Sequence, residues 1–143
     1  MELKALTGRI IGCAIGIRRA LGPGHRESAY AAAMDIALRE DGLSATWEPA
    51  YPIRYKERVI GTCRPDFVVE NAVVLELKRA DWLDSEARAQ TLGYLRVTGK
   101  RAGLLISFRA HPLSAASNVS SSDVLFLSSG PPCPTTWHIR RFP

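Results

Sequence analysis

Two β-branched segments separated by only three residues constrain the fold of this chain more than any other feature. Residues 64–69 and 73–78 are rich in the residue types of buried strands, and Glu70, Asn71 and Ala72 lie between them. Strands this close in sequence predict an antiparallel hairpin. The register of that hairpin decides which side chains share a face of the sheet.

The length of the hairpin loop decides whether two carboxylates meet. If the loop is residues 70–72, Asp66 lies directly opposite Glu76, with Cβ atoms about 5 Å apart. A two-residue loop at 71–72 would place Asp66 opposite Leu77 and send the two carboxylates to opposite faces. A functional site at this hairpin therefore requires the three-residue loop.

Glu76 and Lys78 are two positions apart on the second strand, so they share a face. An acid and an amine at the end of a buried strand are costly unless they are paired, hydrated or bound to a metal. Two adjacent carboxylates repel each other unless they are protonated or bridged, and Mg²⁺ prefers such oxygen ligands. With Lys78 available to orient water or to stabilise a charged phosphate, Asp66 and Glu76 predict a site of phosphodiester hydrolysis.

The rest of the chain predicts an α/β fold with a central mixed sheet of about four strands flanked by helices. Helical spacing and its end signals indicate three helices, and the third ends at Gly99. The two prolines of the segment from Trp47 to Tyr55 predict an edge strand there, followed by a turn at 56–58. The predicted helices span residues 6–21, 26–40 and 84–98, and a buried strand spans residues 101–108.

Composition favours one domain over all 143 residues and a polyanionic partner. The formal charge of +5 supports encounter with DNA or RNA. Cys13, Cys63 and Cys133 form no C-x-x-C pair, which argues against a disulfide framework or zinc site and favours a reducing compartment. No apolar run long enough to span a bilayer and no signal peptide are visible, so we expect a soluble, cytoplasmic protein with no membrane partner.

A series of short motifs continues from the first helix to the last predicted core strand. In chain order they are Leu21-Gly22-Pro23-Gly24, Glu27, Tyr30, Tyr55-Lys56, Asp66, Val74-Leu75-Glu76-Leu77-Lys78, Ala89-Gln90, Tyr94-Leu95 and Gly103-Leu104-Leu105-Ile106. With this order and spacing the chain resembles the PD-(D/E)xK nuclease superfamily. More narrowly, it resembles the GxxExxY/R proteins of that superfamily.

The resemblance implies a restriction-endonuclease-like core and a role for each matching residue. Asp66 and Glu76 would hold Mg²⁺ or Mn²⁺, and Glu27 on the early helix would add a third acid to the metal site. Lys78 would serve the nucleophilic water, and Gln90 would line the site from the following helix. The substrate would be DNA or RNA, and a homodimer would suit cleavage of a duplex.

Other interpretations of the same residues stay open at this point. The chain could be a catalytically inactive nuclease fold that binds nucleic acid or protein, or Asp66 and Lys78 could form an ion pair without metal. Glu27 in the first turn of a helix also complements the helix dipole. After Phe108 the chain departs from the family pattern, because a Ser- and Pro-rich excursion at about 110–136 precedes the basic ending.

Overall fold

The computed structural model describes residues 1–78, 85–100 and 102–108, together with the backbone of two later strands, 124–129 and 137–141. In this part of the chain, two helices precede five strands, and a third helix precedes the last three strands. In chain order they are α1 (Leu3–Leu21), α2 (Glu27–Glu40), β1 (Ala45–Trp47), β2 (Tyr51–Tyr55), β3 (Arg58–Cys63), β4 (Phe67–Val69), β5 (Val73–Lys78), α3 (Ser85–Thr98), β6 (Ala102–Ser107), β7 (Val124–Ser129) and β8 (Trp137–Arg141).

Six of these strands form one mixed sheet in the order β1-β4-β5-β6-β7-β8. Neighbouring strands are antiparallel except β5 and β6, which are parallel and are connected through α3. A parallel pair needs such a crossover, because its strands run in the same direction. The predicted mixed α/β sheet is confirmed. Its first four strands carry the candidate site, and β7 and β8 extend the sheet beyond β6.

Alternation along β5 divides its side chains between two helical layers. Val73, Leu75 and Leu77 pack into the main hydrophobic core with α1 and α2, whereas Val74 packs with Leu95 of α3. All three residues on the first face are buried. Glu76 and Lys78 follow the alternation of Val74, so they lie on the α3 side of the sheet.

The predicted strand from Trp47 to Tyr55 is wrong, because this segment forms two strands in two different sheets. β1 ends at Trp47 and pairs with β4, whereas β2 begins at Tyr51 and pairs with β3 in a separate two-stranded sheet. Glu48 has a φ of 49°, and Pro49 follows it without an N–H. Both residues interrupt an extended hydrogen-bonded backbone.

Strand β3 is absent from the sequence prediction, which assigns a turn to residues 56–58 and a strand to 64–69. The turn consists of Lys56 and Glu57, and β3 already begins at Arg58. β4 begins only at Phe67, after a proline that cannot donate to a ladder. The exposed, mixed sequence of β3 lacks the regular alternation by which strands are identified.

The predicted helix ends are confirmed where glycine follows a helix. Gly42 and Gly99 have φ values of 76° and 68°, and the N–H of Gly99 donates to the carbonyl of Leu95 at 3.0 Å. Positive φ at this position favours glycine. Asp84, the predicted start of α3, lies outside the described residues. Most of the Ser- and Pro-rich excursion does too, but its apolar segment and the basic ending form β7 and β8.

Candidate active site

The β4–β5 hairpin has the three-residue loop on which the site depends. Val69 pairs with Val73, so residues 70–72 form the loop. Glu70 and Asn71 both have a φ of 52°, and the N–H of Ala72 donates to the carbonyl of Val69 at 3.0 Å. Two left-handed residues closed by this bond make a tight turn, and Ala72 is the additional residue. The alternative two-residue loop is therefore wrong.

Contacts outside the hairpin hold this loop in place. The N–H of Ser44 donates to the Oε1 of Glu70 at 2.6 Å, and the N–H of Glu70 donates to the carbonyl of Ser44 at 2.7 Å. Nζ of Lys100 donates to Oδ1 of Asn71 at 2.7 Å. These bonds attach the loop to the segments before β1 and after α3, and they oppose a shift in register.

Asp66 and Glu76 face each other just beyond the last backbone pair of the β4–β5 ladder, and they exchange hydrogen bonds. The N–H of Asp66 donates to Oε1 of Glu76, and the N–H of Leu77 donates to Oδ2 of Asp66, both at 2.7 Å. One oxygen of each carboxylate is thereby oriented by a backbone donor. A carboxylate oxygen has two lone pairs, so both side chains keep acceptor capacity.

Burial makes this acidic pair, Asp66 and Glu76, electrostatically unusual. Glu76 is only 3% exposed. Burial, followed by the charge of Asp66, raises the pKa of Glu76 to about 8. Burial also raises the pKa of Asp66, although the N–H of Leu77 and the charge of Lys78 act in the opposite direction. Burial and the mutual repulsion of the two carboxylates therefore both disfavour a second negative charge in the pair.

Lys78 provides positive charge next to the acidic pair. It is half-buried, and its charge lowers the pKa of both Asp66 and Glu76. Its backbone is held by β6, because it pairs with Ser107 and its carbonyl accepts the N–H of Phe108 at 2.7 Å. The predicted placement of Glu76 and Lys78 on one face, with Asp66 opposite Glu76, is confirmed.

Glu27 approaches the pair from the start of α2. Its side chain is exposed, and its negative charge raises the pKa of both Asp66 and Glu76. The position of the helix start depends on Tyr30, which is buried one turn later. Its hydroxyl donates to the carbonyl of Gly22 at 2.7 Å and accepts the N–H of His25 at 3.2 Å.

The ring of Tyr30 connects this loop to the end of β6. It stacks on Phe108 with centroids 4.4 Å apart and planes 4° apart. Phe108 in turn donates its backbone N–H to the carbonyl of Lys78. A continuous set of contacts therefore joins the loop before Glu27 to the strand that carries Lys78.

Gln90 and Tyr94 are on α3, which covers the same face of the sheet. Burial and then the charge of Glu76 raise the pKa of Tyr94 to about 12, whereas the side chain of Gln90 acts in the opposite direction. α3 lies close to β6 at Gly103, where an added Cβ would be 3.3 Å from side-chain atoms of Thr91 and Leu95. The absence of a side chain at Gly103 allows this approach.

Cys63 and Glu48 also lie near the acidic pair, and neither was predicted from the sequence. The N–H of Glu48 donates to the carbonyl of Asp66 at 2.8 Å, and the charge of Glu48 contributes to the raised pKa of Asp66. Burial, and to a lesser extent the charge of Glu76, raises the pKa of Cys63. Knowledge of the β1–β4 register would have identified Glu48. Because Trp47 pairs with Phe67, the next residues toward the site are Glu48 and Asp66.

The acidic pair fits a hard divalent cation that retains part of its hydration shell. Within the described ranges, no group of three or more His, Cys, Asp or Glu side chains is arranged to hold a metal ion. Mg²⁺, however, commonly binds through one or two carboxylates, with water and substrate oxygens completing its coordination. A cation also stabilises the charged form of two adjacent carboxylates whose pKa is raised.

Comparison with known sequences identifies the family. The sequence profile of the PD-(D/E)XK nuclease superfamily matches residues 4–118 of the chain. The chain belongs to this superfamily. Comparison with curated proteins and with solved structures gave no match.

The superfamily match includes every residue of the candidate site, from Glu27 to Tyr94, and the mixed sheet with its flanking helices is the restriction-endonuclease-like core. PD-(D/E)XK proteins are nucleases that typically use divalent metals, which agrees with the oxygen-rich acidic pair. No helix among the described residues is long and apolar enough to cross a membrane.

Proposed function

We propose that this protein is a metal-dependent nuclease that hydrolyses phosphodiester bonds of DNA or RNA. The observation that carries the proposal is the pair of half-buried Asp66 and buried Glu76, oriented by reciprocal backbone hydrogen bonds, with Lys78 on the same face. A purely structural ion pair would not need two adjacent carboxylates of raised pKa. Structural burial of such a pair without a cation is costly.

Asp66 and Glu76 would hold Mg²⁺ or Mn²⁺, and Glu27 would add negative charge and a further oxygen donor through water. The metal would supply Lewis-acid stabilisation of the phosphate and lower the pKa of the attacking water. Lys78 would orient that water and stabilise negative charge on the phosphate oxygens in the transition state. Gln90 would border the substrate from α3, since its side chain acts on the pKa of Tyr94, which the charges of Glu76 and Asp66 also raise.

The test is cleavage of labelled single-stranded and double-stranded DNA and RNA by the purified chain, with Mg²⁺, Mn²⁺ or a chelator. We expect cleavage only with metal, and we expect Asp66→Asn, Glu76→Gln and Lys78→Ala each to lower kcat by at least about 100-fold. Glu40→Gln and Lys4→Ala serve as matched controls, because both residues are exposed on the helices of the other face.

Circular dichroism and thermal unfolding would show that each variant is folded. Undiminished cleavage by folded Asp66→Asn and Lys78→Ala variants would rule out this site. Cleavage that does not depend on metal would rule out the proposed chemistry.

A catalytically inactive nuclease fold that binds nucleic acid is the second candidate function. It is favoured by one observation, namely that no set of three metal-ligating side chains is found within the described part of the chain. Under this alternative the chain binds nucleic acid in a salt-dependent manner and cleaves none of the substrates with either metal. Calorimetry with Mn²⁺ distinguishes the nuclease from the inactive fold. Only the nuclease requires that Mn²⁺ binds with measurable heat and that Asp66→Asn abolishes this binding.

A further inference from the structure

The β2–β3 hairpin projects its tip into solvent and is separate from the main sheet. β2 (Tyr51–Tyr55) and β3 (Arg58–Cys63) form a two-stranded sheet of their own. At its base, Tyr51 packs against the hydrophobic cluster under α3 and its partner Cys63 is buried. At its tip, the turn of Lys56 and Glu57 is exposed.

Positive charge is concentrated on this hairpin and on the residue that follows it. Residues 51–64 contain four basic residues and a single acidic one, and the side chains of all five are exposed. The four basic residues are Arg54, Lys56, Arg58 and Arg64. For a chain with a formal charge of +5, this is a strong local excess that would attract a polyanion.

Large hydrophobic side chains are exposed between these cations. Tyr55, Val59 and Ile60 are 63%, 57% and 66% exposed, and they are three of the seven exposed large hydrophobic residues in the described part of the chain. Nζ of Lys56 lies 5.4 Å from the centre of the Tyr55 ring. A chain without a partner for this surface would leave several large apolar side chains in water.

The base of the hairpin lies next to the acidic pair. Only Arg64 and Pro65 separate the end of β3 from Asp66. The charge of Glu76 contributes to the raised pKa of Cys63, which places the base of the hairpin within electrostatic range of the pair. A polyanion bound along the hairpin would therefore extend to the acidic pair. The positive charge of the hairpin would offset the repulsion between the polyanion and the two carboxylates.

We propose that the β2–β3 hairpin, residues 51–64, is a substrate-binding arm for single-stranded nucleic acid. This inference rests on the proposed nuclease function and names its substrate class. Arg58 contacts a phosphate beside the base on which Tyr55 stacks, because these two residues pair across the hairpin and share a face. Arg54, whose partner is Val59, adds positive charge from the other face. Single strands fit this surface better than a duplex, because their bases are free to stack on an aromatic or aliphatic side chain.

The first test measures binding alone, with a chelator present so that metal and cleavage play no part. Fluorescence anisotropy compares a labelled DNA single strand of about 20 nucleotides with its blunt duplex. We expect at least about tenfold tighter binding of the single strand. We also expect the Arg54→Ala/Arg58→Ala variant to reduce the slope of log affinity against log salt by about 1.4. Lys4→Ala/Arg19→Ala removes the same charge from α1 and should leave the slope near wild type.

The second test separates stacking from charge. We expect Tyr55→Ala to weaken single-strand binding by about tenfold and to leave duplex binding nearly unchanged, since stacking on an exposed ring serves only unpaired bases. Two results would overturn the assignment of this hairpin as a substrate-binding arm. One is binding of the duplex that equals or exceeds binding of the single strand. The other is single-strand binding by the Tyr55→Ala and Arg54→Ala/Arg58→Ala variants that equals that of wild type. Thermal unfolding shows whether each variant retains its fold.

Binding and cleavage distinguish a failure of the arm from a failure of the nuclease proposal. If the arm variants lose single-strand binding and no metal-dependent cleavage occurs, the arm is supported and the nuclease function is not. If Asp66→Asn abolishes cleavage while both arm variants bind and cleave single strands as wild type does, the nuclease function is supported and the arm is overturned.

Discussion

The side chains of Asp66 and Glu76 each accept a backbone N–H from the opposite strand at 2.7 Å, and this exchange closes the end of the β4–β5 hairpin. The bonds orient both carboxylates toward the face covered by α3. Burial disfavours two negative charges at this position, and the charge of Lys78 only partly compensates them. Four predictions follow from this geometry and its surroundings.

The stability of the metal-free protein should fall as pH rises from about 5 to about 8. The pKa of Glu76 is about 8 in the folded protein and ordinarily 4.5, so between these values only the folded chain retains the proton. The folded state then binds more protons than the unfolded state, and its free energy of unfolding decreases by at most about 1.4 kcal/mol per pH unit. The raised pKa of Asp66 likewise lowers the free energy of unfolding as pH rises.

Glu76→Gln removes this titration and keeps an oxygen to accept the N–H of Asp66. We expect a flatter dependence of the unfolding free energy on pH, and a variant more stable than wild type near pH 8. Urea unfolding in a chelating buffer measures it, with Glu40→Gln as the control. A wild type whose stability rises over this interval would contradict the assigned direction.

Metal binding should strengthen as pH rises toward about 8, because a cation displaces the proton on Glu76. The gain is at most about tenfold in affinity per pH unit for a single released proton. Calorimetry with Mn²⁺ in two buffers of different ionisation enthalpy measures both the affinity and the released proton. A Mn²⁺ affinity that does not change with pH would show that Glu76 is already ionised without metal.

Tyr30→Phe should destabilise the protein and reduce cleavage while keeping the ring contact with Phe108. The lost hydroxyl binds Gly22 and His25 at 2.7 and 3.2 Å, and we expect its removal to cost about 1 to 2 kcal/mol. The loop it holds leads directly to Glu27. Thermal unfolding and kcat measure the two effects.

Tyr55→Phe is the matched control, because Tyr55 is 63% exposed. Loss of that hydroxyl should change stability by less than about 0.5 kcal/mol. Equal losses of unfolding free energy in the two variants would show that the Tyr30 hydroxyl does not support the loop.

Alanine at two glycines should have opposite effects on stability. At Gly103, an added Cβ would lie 3.3 Å from the side chains of Thr91 and Leu95, and we expect their displacement by a few tenths of an ångström to cost about 1 kcal/mol. At Gly93, within α3, the structure shows no neighbouring atom within 4 Å, and alanine should stabilise the helix by up to about 1 kcal/mol. Chemical denaturation compares them, and a stabilised Gly103→Ala variant would contradict the close approach of α3 to β6.

Much of the hairpin that carries the site follows from the sequence, because its determinants are local. The alternation of Val74, Glu76 and Lys78 assigns them to one face, and the choice between two loop lengths places Asp66 either opposite Glu76 or away from it. Helix ends at Gly42 and Gly99 are equally local, since glycine tolerates a positive φ that other residues avoid. These predictions needed only nearest-neighbour geometry.

The sequence by itself therefore determined the pairing of the two carboxylates, once a loop of residues 70–72 was assumed. Only the tertiary structure decided that the loop has this length, that the strand predicted through Glu48 divides between two sheets, and that Glu27 and Tyr94 lie near the pair. It also decided the raised pKa of Glu76. Such features arise from contacts between residues distant in the chain and from the exclusion of water by whole helices, which no local pattern records.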